Sequence, residues 1–214
     1  MTTIALFGGT GKTGRRVLER ALSAGYPVRA LARDPQKLDD ETELHRALTV
    51  IRGDVLDPAS VDEVVAGADV VLSLFGHVKG SPPTLQADGT RNIVAAMTRH
   101  GVHRIVTLSG GGLRADGRDR PKAADRVIRL LLKALAGHVL ADAEAHLEVL
   151  RASDLDWTVV RGPRLVDSPG TGRYRVGWVG VDASTRISRD DLADFILTQV
   201  DDRTFLGELP FVSD

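Results

Sequence analysis

The sequence predicts a doubly wound α/β fold with a mostly parallel sheet and a small C-terminal region on the substrate side. Three observations predict it. The short apolar run Ile4–Phe7 ends in a glycine-rich turn that opens an amphipathic helix. Apolar runs then alternate with segments of helical period as far as Arg161. Beyond that point the texture becomes rich in glycine and proline. Strands alternating with helices imply a parallel sheet covered on both faces.

Each element follows from its residues. Ile4-Ala5-Leu6-Phe7 is apolar at consecutive positions, the pattern of a strand buried on both faces. From Lys12 the period changes, with Val17, Leu18, Ala21 and Leu22 on one helical face and Gly25 where a C-cap glycine belongs. Val28–Ala32 is the second strand and Leu48–Ile51 the third. Pro58–Ala66 is a short helix begun by proline. Asp69–Leu74 is the fourth strand, Thr84–His100 a helix stopped by Gly101, and Arg104–Leu108 the fifth strand. A long helix from about Lys122 to Ala152 is expected to break near Gly137, and Trp157–Arg161 is the sixth strand. After it, Tyr174–Val176 and Trp178–Val181 are strand-like. Ile187–Val200 is a helix with Ser188 as N-cap and Asp190 and Asp191 in its first turn. Leu209–Val212 is a last strand. No linker or internal repeat divides the chain, so residues 1–214 read as one domain, with a core at 1–161 and the substrate-side region at 162–214.

Composition removes several classes of function. Hydrophobic residues at 43% and charged residues at 27% are ordinary for a packed domain. The net charge of -1 gives no global field to recruit nucleic acid or an anionic membrane. No stretch reaches the roughly 18 apolar residues of a membrane span. Met1-Thr2-Thr3 runs straight into a strand without a signal-like segment, so a cytoplasmic protein is expected. With no cysteine there is no disulfide framework, thiolate site or cysteine nucleophile. His100 and His103 straddle a helix stop, and there is no His-Glu-x-x-His pattern, so no metal is expected.

The glycine-rich turn carries the chemistry. Gly9-x-Gly11-x-x-Gly14, or the variant Gly8-x-x-Gly11-x-x-Gly14, fits a dinucleotide fingerprint. Such a turn lets a pyrophosphate meet unpaired N–H groups at a helix N-terminus. Gly11-Lys12-Thr13 also matches the end of a P-loop, but the glycine such a loop needs five positions earlier is Leu6, inside the strand. The second strand ends Leu31-Ala32-Arg33-Asp34. Arg33 stands where a 2′-phosphate partner belongs, with Lys12 assisting, and this favours NADP(H) over NAD(H). The alternative keeps Arg33 solvated and gives the ribose to Asp34.

Gly8–Gly14, Arg33-Asp34, Gly53-Asp54-Val55 and Arg91–Met97 together resemble the atypical short-chain dehydrogenases with NAD(P)-binding, NmrA-like Rossmann folds. Within that group the chain is most similar to the flavin reductase (biliverdin-IXβ reductase) type, nearly end to end, including Arg186–Leu192. The resemblance implies a cofactor held by Gly8, Thr10, Gly11, Lys12, Thr13 and Gly14. It puts Asp54 and Val55 beside the adenine, and Leu74, Phe75 and Gly76 beside the ribose and pyrophosphate. Thr107, Leu108 and Ser109 would approach the nicotinamide, and Pro163, Arg164 and Leu165 would cover it.

The departures set the expected chemistry. Four positions after Tyr26 is Ala30, and four after Tyr174 is Trp178, so the Tyr-x-x-x-Lys acid of ordinary short-chain dehydrogenases is absent. Flavin reductase-like proteins carry a histidine where this chain has Arg164, which can hold an anionic or carbonyl group but not donate a proton. The expectation is hydride transfer from NADPH to a flavin, quinone or similar acceptor, with Ser109 and Arg164 at the reacting end and a monomer as the working unit. A non-catalytic NADP(H) sensor and an epimerase or dehydratase are the alternatives. Asp142 and Glu144 could face the pocket, but they read first as a solvated helical face; Gly110–Arg120 reads as a mobile loop near the pocket mouth, either a lid or an ordinary solvated connection.

Overall fold

The computed structural model describes residues 1–38, 42, 45–115 and 117–214. In chain order its elements are β1 (Ile4–Phe7), α1 (Lys12–Ser23), β2 (Val28–Ala32), β3 (Leu48–Arg52), α2 (Pro58–Val65), β4 (Val70–Ser73), α3 (Leu85–His100) and β5 (Arg104–Gly110). They continue with α4 (Ala123–Arg151), β6 (Asp156–Gly162), β7 (Arg164–Val166), β8 (Arg175–Gly177), β9 (Arg186–Ser188), α5 (Arg189–Thr198) and β10 (Phe211–Ser213).

Eight strands form one sheet in the order β3-β2-β1-β4-β5-β6-β10-β8. All its pairings are parallel except β8 on β10. Chain order reverses between β1 and β4, the switch point where doubly wound sheets bind ligands beyond their carboxyl ends. Successive residues of β1 enter opposite cores. Ala5 and Phe7 pack under α2, α3 and α4, whereas Ile4 and Leu6 pack under α1 and α5. That is why no polar residue interrupts the strand.

Local signals set the boundaries. α2 starts at Pro58 because Asp57 caps the Ala59 and Ser60 N–H groups. Ser188 caps α5 by accepting from the Asp191 N–H at 2.9 Å. The break expected in the long helix falls at Ala136, with φ -142° and ψ 39°, one residue before Gly137.

Residues 162–214 differ most from expectation. They supply β8, β10 and α5 to the main sheet and its covering layer, and only the small parallel pair β7–β9 stands apart. Trp178 and Val181 close a tight turn instead of lying in one strand. β7 and β9 are three residues long, too short for alternation to show in sequence.

Candidate cofactor and substrate site

The turn after β1 packs as tightly as a fingerprint requires. Gly8 has φ +86°, and a Cβ there would lie 2.6 Å from the Phe75 nitrogen. A Cβ on Gly14 would lie 2.0 Å from the Gly8 carbonyl oxygen, so only glycine lets α1 sit this close to the turn. The pattern in use is therefore Gly8-x-x-Gly11-x-x-Gly14. Gly11 is the N-cap of α1, with neither a side-chain cap nor an acidic residue in the first turn. By helix geometry the Lys12, Thr13 and Gly14 N–H groups have no partner within the helix. They and the positive end of the helix dipole form an anion seat.

Beside this turn, beyond the carboxyl ends of β4, β5 and β6, lies a cavity of about 800 Å3. Of the residues expected at the site, Leu74, Phe75, Gly76, Leu108, Ser109, Pro163, Arg164 and Leu165 line it. The Ser109 hydroxyl is buried with no hydrogen-bond partner among the described residues. An orphaned donor on a cavity wall costs stability unless a ligand or water satisfies it. Arg164 is exposed at the rim, and its guanidinium makes no ion pair among the described residues.

Other expected residues stand elsewhere. Arg33 and Asp34 are exposed at the end of β2; Asp34 pairs with Lys37 at 3.8 Å, and Arg33 has no ion pair among the described residues. Lys12 is bonded to Asp167 at 2.8 Å, so it reaches the loop after β7. Asp54 turns its carboxylate back on the Leu56 N–H at 2.9 Å, and Val55 is buried in the core. Thr107 is fully buried and bonds to His146 at 3.2 Å, so it does not reach the cavity wall.

Asp142 does not stand on a solvated face of α4. Asp142 is 3% exposed and accepts from His77 Nε2 at 2.7 Å and from the Gln86 and Ala87 N–H groups at 2.7 and 3.0 Å. It thus caps the N-terminus of α3 and fixes the His77 ring, and His77 lines the cavity. Glu144 instead pairs with Arg129 at the surface. No spacing links residues 77 and 142; only the fold brings them together.

The expected lid is anchored. Leu113 and Ala115 are buried, and Asp119 forms a bidentate pair with Arg161 at 2.8 and 2.9 Å. Asp116 lies outside the described residues. Burial alone would raise the Asp119 carboxyl. Hydrogen bonds from Arg161 and the Ala115 and Val179 N–H groups outweigh it and hold the group below the usual carboxylate range.

His146 sits between the Thr90 and Thr107 hydroxyls, and burial lowers its pKa to about 4. An unfolded chain takes up this proton near pH 6.5 and the folded chain does not until about pH 4. Stability from this group is therefore full above about pH 6.5 and falls as pH drops toward 4, by about 3 kcal/mol in total. Urea unfolding at pH 7.5 and pH 5 should show the loss, and His146→Gln should flatten it. A loss of the same size in both proteins would mean that another group carries it.

Comparisons with known proteins agree with this geometry. Residues 8–203 match the NAD(P)H-binding family. The protein UPF0659 C216.03 of Schizosaccharomyces pombe is 28% identical, over 92% of this chain and 83% of its own length. A short-chain dehydrogenase/reductase from Veillonella parvula, solved with NADP, superposes with TM-score 0.82 at 20% identity, covering 100% of this chain and 94% of that one. The anaerobilin reductase ChuY of Escherichia coli O157:H7 superposes at 0.76 with 20% identity, over 100% and 97%. The fingerprint turn, the strand order and the family match agree: this chain belongs to the NAD(P)H-binding family and has a Rossmann fold.

Proposed function

We propose that the protein is an NADPH-dependent reductase that acts, as a cytoplasmic monomer, on a flat conjugated acceptor such as a flavin or quinone. The observation that carries this reading is the cavity of about 800 Å3 behind Leu74 and Phe75, which pack on Gly8 of the fingerprint turn; its largely apolar wall carries the unpartnered Ser109 hydroxyl together with His77 and Arg164. Bound across the switch point, the cofactor supplies hydride from its nicotinamide.

The chain's own groups do the rest. The first-turn N–H groups of α1 hold the pyrophosphate. Arg33, unpaired among the described residues, takes the 2′-phosphate. Leu108, Pro163 and Leu165 keep water from the ring. Ser109 gives its hydrogen bond to the nicotinamide or the acceptor. Arg164 holds an anionic or carbonyl group of the acceptor at the rim. His77, fixed through Nε2 by Asp142, lines the cavity and is the side chain placed to exchange a proton with the acceptor.

The purified protein should oxidise NADPH in the presence of at least one member of a flavin and quinone panel, followed at the nicotinamide absorbance band. Tight NADPH binding with no turnover on any member would make it a sensor instead. Arg33→Ala should weaken NADPH about tenfold and leave NADH unchanged, the loss of one charge-assisted hydrogen bond at an exposed site. Unchanged discrimination in a titration would remove Arg33 from the 2′-phosphate.

A further inference from the structure

We infer that the first half of α4 is a docking surface for an anionic lipid bilayer, placed beside the mouth of the cavity. No helix among the described residues is long and apolar enough to cross a membrane, so the contact is with the surface. Val127, Leu130, Leu131 and Leu135 are between 55 and 83% exposed. At 3.6 residues per turn they share one side of the helix. Arg129 points the other way, to the Gly112 carbonyl.

Charge selects the occupant. From Arg120 to Ala141 the sequence holds five cations, Arg120, Lys122, Arg126, Arg129 and Lys133, against one carboxylate, Asp125. The rest of the chain has 23 Lys and Arg against 28 Asp and Glu, so the basic charge is concentrated here and hidden in the net value. Lys122, Arg126 and Lys133 are exposed and form no ion pair among the described residues. An apolar face flanked by free cations is the pattern of a helix lying in a lipid interface, its cationic ends reaching the headgroups. A symmetric pairing of two copies through this face would bring the cations of each copy against those of the other.

The position of the helix gives the docking a use. Ile128, half exposed on the same helix, also lines the cavity. The kink at Ala136 separates this half from the part that carries Asp142. An apolar acceptor dissolved in lipid would meet the cavity without crossing water. That consequence rests on the proposed reductase function; the docking does not.

The full chain should sediment with vesicles of phosphatidylcholine and phosphatidylglycerol and not with phosphatidylcholine alone, and high salt should release it. Arg126→Gln with Lys133→Gln should lower the partition roughly thirtyfold. Leu131→Ser with Leu135→Ser should reduce it to background. NADPH binding and far-UV circular dichroism, expected unchanged in both variants, show that the fold is kept. Absence of vesicle binding, or equal binding to neutral vesicles, overturns the inference. So does self-association, seen by sedimentation velocity, that the leucine variant abolishes without any vesicle binding in the parent. Each readout is made without an acceptor, so failure here leaves the reductase reading standing.

Discussion

Asp119→Ala is expected to destabilise the protein by about 3–5 kcal/mol, the cost of stripping a buried charge of its partner. Arg161 is 0% exposed, and Asp119 takes two of its bonds; the Leu113 and Leu209 carbonyls take the others. The carbonyls orient the guanidinium but do not neutralise it. Asp119 also accepts from the Ala115 and Val179 N–H groups at 2.8 and 3.0 Å, which would lose that acceptor. One carboxylate therefore ties the segment after β5, the strand β6 and the turn at Trp178–Val181 into one wall. Removing both charges should cost less than removing one, because apolar groups of similar volume need no partner. Urea unfolding of Asp119→Ala and of Asp119→Leu with Arg161→Met tests both statements. A single-variant loss under about 1 kcal/mol, the range of a solvated ion pair, would mean that water reaches Arg161.

The parts legible in the sequence are those encoded by neighbours. Periodicity located β1 to β6 and their helices, because a buried strand and an amphipathic helix each repeat within a few residues. The Gly8–Gly14 turn was legible for the same reason. Its choice between two glycine patterns was not, since it depends on Phe75 and on the approach of α1 to the Gly8 carbonyl. Asp119 with Arg161, and His77 with Asp142, were out of reach. Each pair joins residues 42 or 65 positions apart, and a charged residue in a helical or glycine-rich stretch ordinarily faces water. Asp119 was visible only as part of a charged loop, and this is why the segment suggested a mobile lid. A carboxylate among apolar helix positions, as at Asp142 between Ala141 and Ala143, is the one local hint that could have been followed.

His77→Gln is expected to lower kcat by about a hundredfold or more while leaving the NADPH dissociation constant unchanged, the usual loss when a positioned proton donor is removed. The geometry behind this is specific. Asp142 is 1% exposed at its side chain and accepts from Nε2 at 2.7 Å, which leaves Nδ1 as the ring nitrogen free to exchange a proton. The carboxylate is held in turn by two N–H groups at the start of α3, so the pair cannot drift with solvent. The substituted glutamine side chain would fill the space and keep one hydrogen bond but could not carry the proton. Asp142→Asn should act through His77, lowering kcat by less than His77→Gln does, and should also weaken the start of α3. A purely structural His77 would instead shift the unfolding midpoint and leave kcat unmoved. An acceptor that draws its proton from water would leave kcat unmoved, and the Asp142–His77 pair would then only brace α3.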